Sequence, residues 1–276
     1  MSDAFDPTRP KPAKIIAVAN QKGGVGKTTT AINLGAALAE VGLKVLVVDL
    51  DPQGNASTGL GIEAEDRHLT AYDLLLEDVD LDDLILMTDH DNLSVVPANV
   101  DLSSADIELI SNEKRSFLLR DALRQTAMDR FGFDVVLIDC PPSLSLLTVN
   151  AFIAADSVLV PLQSEFFALE GLSQLMLTIR EVRQSGNPNL RIEGVVLTMH
   201  DMRNNLSQQV ENDARENLGA LVFETRIPRN VRVSEAPSFA MPVLQYDPQS
   251  KGAQAYRALA GEVIEKNKLT GGADYV

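Results

Sequence analysis

The stretch NQKGGVGKTT, residues 20–29, decides the fold. It overlaps the end of an apolar run, IIAVAN (15–20), and leads into TTTAINLGAALAEVG (28–42), whose apolar residues recur at helical spacing. Glycines allow a loop to take positive φ angles and to bring its N–H groups close to an anion, and a helix that follows points its dipole at the same place. The stretch therefore predicts a phosphate-binding loop between a buried strand and a helix.

Two side chains at the end of this loop favour a nucleotide with magnesium. Lys27 supplies a positive charge for β and γ phosphates, and the Thr28 hydroxyl is an oxygen ligand of the kind that Mg²⁺ prefers. The other predicted phosphate contacts come from the loop and the first turn of the helix: Gly23, Gly24, Val25, Gly26 and Thr29. A glycine-rich turn without a ligand is the alternative, and the ordered run of strand, glycines, Gly-Lys-Thr and helix argues against it.

Outward from this loop, apolar runs alternate with helical patterns. The runs that predict buried strands are KVLVVDLD (44–51), LSVVPA (93–98), FDVVLIDC (133–140), SVLVPLQ (157–163) and IEGVVLTM (192–199). The helical patterns cover 114–131, 169–186 and 207–219, and a last helix is expected over 252–269. Runs that are apolar on both faces are typical of a parallel sheet that helices cover on both sides.

These alternating elements predict a doubly wound α/β fold, with a mostly parallel sheet and helices on both faces. We expect one domain over residues 15–268, because no linker, repeat or low-complexity segment interrupts it. Three prolines before residue 14 predict a mobile leader over 1–14, and 269–276 is expected to be a loose tail.

Composition excludes several classes of protein. Of 276 residues, 45% are hydrophobic and 23% are charged, which is ordinary for a globular chain. The only cysteine, Cys140, excludes an intramolecular disulfide, CxxC-type zinc sites and CxxC-ligated iron–sulfur clusters, and it favours a reducing cytoplasm. Neither a signal peptide nor an apolar run of about 18 residues is present, so a secreted or membrane-spanning protein is not expected.

Two acidic residues extend the predicted site. Asp51 and Asp139 each follow a buried strand, and the carboxyl ends of strands are where open α/β sheets bind ligands. A carboxylate there either holds Mg²⁺ through water or positions the water that attacks a phosphoryl group. Asp49 lies close by, and either such a role or a turn-forming role fits it.

The loop departs from the common pattern G-x4-G-K-[ST]. Its first glycine is replaced by Gln21, and an additional lysine, Lys22, follows. The string K-G-G-V-G-K-T resembles the deviant Walker A motif of the ParA/MinD family of P-loop ATPases.

Four further segments carry the same resemblance. VLVVDLDPQGNAST (45–58) and VVLIDCPPS (135–143) are similar to that family's second motif and its Walker B strand. VPLQSEFFALEGL (160–172) and IPRNVRVSEAPSF (227–239) resemble the chromosome-partitioning branch, ParA/Soj. The likeness runs from Ile15 to about residue 263, nearly the whole chain.

This resemblance implies a Mg²⁺-dependent ATPase that closes into a homodimer over two ATP molecules. In such a dimer Lys22 reaches the nucleotide of the other subunit, so we expect it to act in both binding and catalysis. The resemblance assigns Asp51 to the hydrolytic water and Asp139 to the Mg²⁺ shell. It places the adenine near Pro228, Arg229 and Asn230.

The distribution of charge and the composition of the last helix help to decide whether the ATP-bound dimer binds DNA or a membrane. The chain carries a formal net charge of −15, but residues 226–257 hold five basic residues against two acidic ones. The last helix is rich in alanine and contains glutamates, unlike a basic membrane-binding helix. The residues expected to contact DNA phosphates are Arg203, Arg226, Arg229, Arg232 and Lys251, with structural ion pairs as the alternative.

The expected function is therefore ATP-dependent, non-specific binding to double-stranded DNA by a nucleoid-associated cytoplasmic protein. A ParB-type centromere-binding partner and the segregation of chromosomes or plasmids are implied by the resemblance. A MinD-like positioning ATPase, acting at a membrane or on another cargo, is the second interpretation. A metabolic P-loop amidase or synthetase is a third, and no motif for its second substrate pocket is found.

Overall fold

The structure is a computed structural model that describes residues 12–77, 79–165 and 168–270. The described residues leave out most of the predicted leader and tail. They also leave out Phe166 and Phe167 of the motif at 160–172. The first strand begins at Lys14, one residue before the predicted start of the domain.

The strands of the described residues form one eight-stranded sheet, in the order β3-β4-β2-β5-β1-β6-β7-β8. Neighbouring strands are parallel except β3 and β4, which are antiparallel. This confirms the prediction of a doubly wound, mostly parallel sheet. The strands are Lys14–Val18 (β1), Val45–Asp49 (β2), Leu86–Met87 (β3), Leu93–Val96 (β4), Val135–Asp139 (β5), Ser157–Gln163 (β6), Arg191–His200 (β7) and Val222–Pro228 (β8).

Helices connect these strands, and the four longest begin and end within two residues of the prediction. In chain order the α-helices are Lys27–Glu40 (α1), Asn55–Gly59 (α2), Ala71–Leu76 (α3), Leu81–Leu84 (α4), Ala105–Glu108 (α5), Leu118–Leu123 (α6), Thr126–Asp129 (α7), Leu146–Ala154 (α8), Ala168–Ser185 (α9), Asn205–Leu218 (α10), Val231–Glu235 (α11), Val243–Tyr246 (α12) and Lys251–Asn267 (α13). No α-helix of the described ranges combines the length and the hydropathy needed to cross a membrane.

Successive residues of the central strands enter two different cores, since side chains alternate between the faces of a sheet. In β1, Ile15 packs into a core that includes residues of α6, α8 and α9. The next residue, Ile16, packs into a second core with residues of α1 and α13. Burial on both faces explains why β1, β2 and β5 are apolar except at one end residue each.

Several elements differ from the prediction, which did not include strands β3 and β8 or the helices α2 to α5, α8, α11 and α12. The helix expected over 114–131 is divided into α6 and α7, and the division coincides with Arg124, which donates to Ala13 O (3.2 Å) and to Asp156 Oδ1 (2.7 Å). Strand β8 was not predicted, because Glu224 and Arg226 alternate with buried residues in this edge strand. The position of β8 at the edge of the sheet accounts for its mixed polar and apolar pattern.

Candidate nucleotide site

The glycine loop joins the carboxyl end of β1 to the first residue of α1. Gly24 and Gly26 have φ angles of 74° and 88°, in the left-handed region. Residues with a Cβ rarely adopt this conformation, so these two positions require glycine. A Cβ placed on Gly24 would have no described neighbour within 4 Å, and the requirement is therefore conformational rather than steric.

Two residues outside the predicted set anchor this loop. The Asn20 side chain donates to Pro161 O (2.7 Å) in β6 and accepts from Lys22 N (3.0 Å). The Thr198 hydroxyl, near the end of β7, donates to Val25 O (2.8 Å). The loop is thus held by both β6 and β7. In the sequence, only the positions of Asn20 and Thr198 near the ends of predicted strands could have indicated this role.

The two lysines of the loop have different environments. Lys27 is 6% exposed, and its Nζ donates to Lys22 O (3.1 Å). Burial lowers the pKa of Lys27, while the charges of Asp139 and Asp51 oppose that shift. The Lys22 side chain is partly exposed, and its Nζ lies 2.6 Å from Glu165 Oε2. Lys27 is therefore directed into the site, and Lys22 stands at its rim.

Asp49 and Asp139 are register partners at the carboxyl ends of β2 and β5. Both oxygens of the fully buried Asp49 carboxylate are used: Oδ2 accepts from Ser57 N (2.9 Å) and Ser57 Oγ (2.7 Å), and Oδ1 accepts from Asp51 N (3.1 Å). Burial raises the pKa of Asp49 to about 6. These contacts assign Asp49 to holding the turn after β2.

Asp139 is also fully buried, yet neither of its carboxylate oxygens has a hydrogen-bond partner among the described residues. Burial, and then the neighbouring Asp49 carboxylate, raise the pKa of Asp139 well above its ordinary value. A buried carboxylate without a donor fits a cation, and Thr28 and Lys27 are close enough to act on it. The site therefore offers oxygen ligands suited to Mg²⁺.

The described residues hold no cluster of three or more His, Cys, Asp and Glu side chains that could bind a metal ion alone. Mg²⁺ commonly keeps several waters and is bound through one or two carboxylates together with substrate phosphates. The donors at this site fit that mode. Asp51 is half-buried at its edge, where its Oδ1 accepts from Gln53 N (3.1 Å).

A cleft of about 450 Å³ opens beside the glycine loop. Gly26 and Thr29 line one side of it, and the segment 228–230 lines another. Its volume lies within the range of about 300–1,000 Å³ that is common for small-molecule sites. The structure thus brings the segment predicted to lie near adenine next to the start of α1. Within this segment Asn230 caps α11 by accepting from Arg232 N (2.8 Å).

The basic residues predicted to contact DNA fall into two groups. Arg226 pairs with Glu211, and Arg232 pairs with Glu235 and Asp247, so these two arginines already have structural partners.

The second group is more accessible. The Arg203 side chain is 90% exposed, although it also contacts Asp201 at 3.1 Å. Arg229 and Lys251 are exposed and form no ion pair with any residue in the described ranges. Each of the three can therefore offer charge to a ligand.

Comparison with known proteins agrees with this geometry. A family model described as an AAA domain matches residues 13–192. Chromosome partitioning protein ParA of Caulobacter vibrioides is 57% identical over 257 residues, which cover 93% of this chain and 96% of that protein. Sporulation initiation inhibitor protein Soj of Bacillus subtilis is 52% identical over 250 residues, covering 91% and 98%.

A solved structure shows the same fold with ligands. Cobyrinic acid a,c-diamide synthase from Mycobacterium smegmatis, solved with an ATP analogue and magnesium and also with ADP and magnesium, has a TM-score of 0.80 and 39% identity. The match covers 93% of this chain and 96% of that one. From the identity and coverage of its relatives, the chain belongs to the ParA/Soj family of chromosome-partitioning P-loop ATPases.

Proposed function

We propose that this protein hydrolyses ATP and that its ATP-bound homodimer binds double-stranded DNA without sequence specificity. Together with a ParB-type centromere-binding protein, this nucleoid-associated dimer takes part in segregating chromosomes or plasmids. The observation that carries the proposal is the buried, unpartnered Asp139 carboxylate beside Lys27 and Thr28. The names of the most similar relatives support the partitioning role.

In this proposal the glycine loop holds the phosphates of ATP. The N–H groups of residues 23–29 surround the phosphate oxygens, and the Lys27 ammonium neutralises charge at the β and γ phosphates. Thr28, Asp139 and Asp51 provide oxygens toward Mg²⁺, directly or through water. When bound, Mg²⁺ neutralises the charge that develops on the phosphate oxygens during transfer.

Asp51 is the proposed residue that positions the attacking water. It lies just beyond the end of β2 and is half-buried, so its carboxylate is accessible to water. The turn that carries Asp51 is held by Asp49, because the backbone N–H of Asp51 donates to Asp49 Oδ1. Positioning and charge neutralisation account for most of the catalysis of phosphoryl transfer, so a rigid support for this carboxylate is expected.

Lys22 is proposed to complete the site of the other subunit. Its side chain is 38% exposed at the rim of the loop, so it can turn toward a second chain placed across the cleft. Adenine would occupy the cleft between Thr29 and residues 228–230. ATP then contacts both chains, which makes it both substrate and part of the interface.

The DNA surface is proposed to include the exposed cations Arg203, Arg229 and Lys251, with Arg226 and Arg232 beside them. Phosphate contacts from Lys and Arg bind nucleic acid irrespective of its sequence, and they weaken as salt increases. A single chain of net charge −15 repels DNA as a whole. A dimer doubles the local cationic surface, which makes binding depend on ATP.

The membrane alternative has less support. The apolar residues of α13, including Tyr256, Leu259 and Val263, are buried in the core of the domain. They are therefore not free to enter a bilayer interface as an amphipathic anchor must. The synthase alternative rests on the name of one structural neighbour at 39% identity, below the 57% identity of the ParA relative.

Co-sedimentation with plain duplex DNA or with liposomes tests the proposal. The full-length chain should pellet with DNA in the presence of Mg²⁺ and ATP, and it should stay in the supernatant with ADP or without nucleotide. Lys27→Ala is the control and should not pellet under any of these conditions. ATP-dependent pelleting with liposomes but not with DNA would overturn the DNA assignment in favour of the membrane alternative.

A further inference from the structure

A second cavity lies at the amino ends of the strands, whereas the candidate nucleotide site lies at their carboxyl ends. It has a volume of about 530 Å³ and is lined by residues at the amino ends of β1, β6 and β7. Its charged lining residues are Lys14, Arg120, Arg124, Asp156 and Arg191. Four cationic side chains therefore face one carboxylate.

The carboxylate is already used by the fold. Asp156 Oδ2 accepts from Ile15 N (2.8 Å), and Asp156 Oδ1 accepts from Arg124 (2.7 Å). A second nitrogen of Arg124 donates to Ala13 O (3.2 Å). Asp156 and Arg124 thus tie α6 to the start of β1, and Asp156 has little capacity left for the other cations.

Of the other three cations, Arg191 is the least neutralised. Arg191 is exposed and forms no ion pair with a residue of the described ranges, and its charge acts on the neighbouring Lys14. Lys14 Nζ is buried and forms an ion pair with the buried Glu193 carboxylate, 3.4 Å from Oε2. Arg120 lies over the Phe117 ring, and its one ion pair among the described residues is with its chain neighbour Asp121. Such a solvent-exposed pair contributes roughly 0–1 kcal/mol.

We propose that this cavity, called here the basic cavity, binds a small molecule carrying two or more linked phosphates. Its volume is that of a small-molecule site. Guanidinium groups form paired hydrogen bonds with phosphate oxygens, and three of them line this cavity. With Lys14 paired to Glu193, the lining keeps a net charge of +2 from three arginines and Asp156. Three guanidinium groups can bind the oxygens of more than one phosphate, so linked phosphates fit the cavity.

This site is separate from the proposed ATP site. The glycine loop follows the carboxyl end of β1, whereas Lys14 is the first residue of the same strand. The two sites therefore lie at opposite ends of β1, and no residue lines both cavities. A duplex DNA backbone is a different occupant, and the concave shape of the basic cavity favours the small polyanion over it.

Calorimetric titration with sodium tripolyphosphate tests this assignment. The full-length Lys27→Ala chain in Mg²⁺-free buffer is the starting protein, because it lacks the ammonium that would bind phosphates in the glycine loop. We expect one tripolyphosphate per chain. Arg191→Gln, added to Lys27→Ala, should weaken binding by about tenfold or more, as expected for the loss of charged hydrogen bonds. Arg120→Gln should weaken it in the same direction.

Arg183→Gln is the matched control, because Arg183 is an exposed arginine of α9 outside the basic cavity. It should leave the affinity for tripolyphosphate unchanged, and thermal unfolding should confirm that all variants fold. No binding to Lys27→Ala, or equal weakening by Arg191→Gln and Arg183→Gln, overturns the proposal. A third outcome would also overturn the proposal: Arg191→Gln, but not Arg183→Gln, loses binding to duplex DNA while its affinity for tripolyphosphate is unchanged. The basic cavity would then be part of a DNA-binding surface.

Discussion

Lys22 Nζ and Glu165 Oε2 lie 2.6 Å apart in the single chain, and Gln163 Nε2 donates to the other oxygen of the same carboxylate (2.5 Å). The lysine proposed to reach across a dimer is therefore held by a carboxylate of its own chain. For Lys22 to contact the partner's nucleotide, this ion pair has to break. In the proposed dimer, Glu165 would therefore compete with the phosphates for Lys22.

Glu165→Gln should lower the ATP concentration that half-saturates dimerisation. An exposed ion pair contributes roughly 0–1 kcal/mol, so the decrease should be about twofold to fivefold. Sedimentation velocity across an ATP titration measures this midpoint. Glu181→Gln, at an exposed position of α9, is the control. A midpoint that rises or stays unchanged would show that Glu165 does not restrain Lys22.

Lys27→Ala and Thr28→Ala should each abolish ATP-dependent dimerisation and DNA binding together, because both activities depend on the same bound nucleotide. Loss of a charged hydrogen bond should weaken ATP binding by about tenfold to a hundredfold. Fluorescent-nucleotide titration and DNA co-sedimentation measure the two effects. DNA affinity equal to that of the wild type in either variant would contradict the proposed coupling.

The central part of the fold could be predicted because its signals are local. Residues 20–29 specify a strand, a glycine turn and a helix in sequence, and the buried β2 and β5 are apolar along nearly their whole length. Edge strand β8 escaped prediction because the solvent-facing Glu224 and Arg226 interrupt its apolar pattern. Local pattern identifies a strand buried on both faces more readily than one at the edge.

Tertiary partners could not be predicted in the same way. Glu211 in α10 contacts Arg226 in β8, and Thr198 contacts the glycine loop. The local spacing of residues in the sequence predicts neither contact. Both contacts depend on how distant segments meet. Sequence therefore indicated the candidate nucleotide site more readily than the ion pairs of the arginines predicted to contact DNA.

Asp51→Ala should separate hydrolysis from assembly. The substitution removes the proposed water-positioning carboxylate and leaves Lys22, Lys27 and the glycine loop intact. Turnover should fall by roughly 10²-fold or more, as for the loss of a catalytic base, while ATP still closes the dimer on DNA. Phosphate release and size-exclusion chromatography with ATP measure the two properties. A variant that remains monomeric with ATP would show that Asp51 is needed for binding instead.

Glu211 should contribute to stability in a pH-dependent way. Hydrogen bonds from Arg226, the largest contribution, and from Arg215 lower the pKa of Glu211 to about 2, and His200 faces its other oxygen. Because the folded pKa is depressed, the contribution is present above the unfolded pKa of 4.5 and is lost as the pH falls toward 2.

Glu211→Gln should therefore lower the free energy of unfolding at pH 7, by about 1–3 kcal/mol. It should also reduce the loss of stability between about pH 5 and pH 2. Urea unfolding at several pH values measures both, with the exposed Glu216→Gln in α10 as control. An identical pH profile for wild type and Glu211→Gln would contradict the assigned role of this carboxylate.

Salt dependence should identify the DNA surface. Each phosphate contact on duplex DNA contributes about −0.9 to the slope of log affinity against log salt. Arg203→Gln and Arg229→Gln should weaken binding to all sequences alike and reduce the slope by about one unit per contact, or twice that if both subunits engage. Arg232→Gln should have the same effect only if Arg232 leaves Glu235 and Asp247 to bind DNA.

ATP-driven dimerisation has to be measured first in each variant, because Arg229 also lines the proposed adenine cleft. Arg180→Gln, at an exposed position of α9, should change neither affinity nor slope. Unchanged affinity and slope in all three variants, with dimerisation intact, would move the DNA surface elsewhere. The membrane or cargo alternative would then be favoured, because these three arginines would have been shown not to bind DNA.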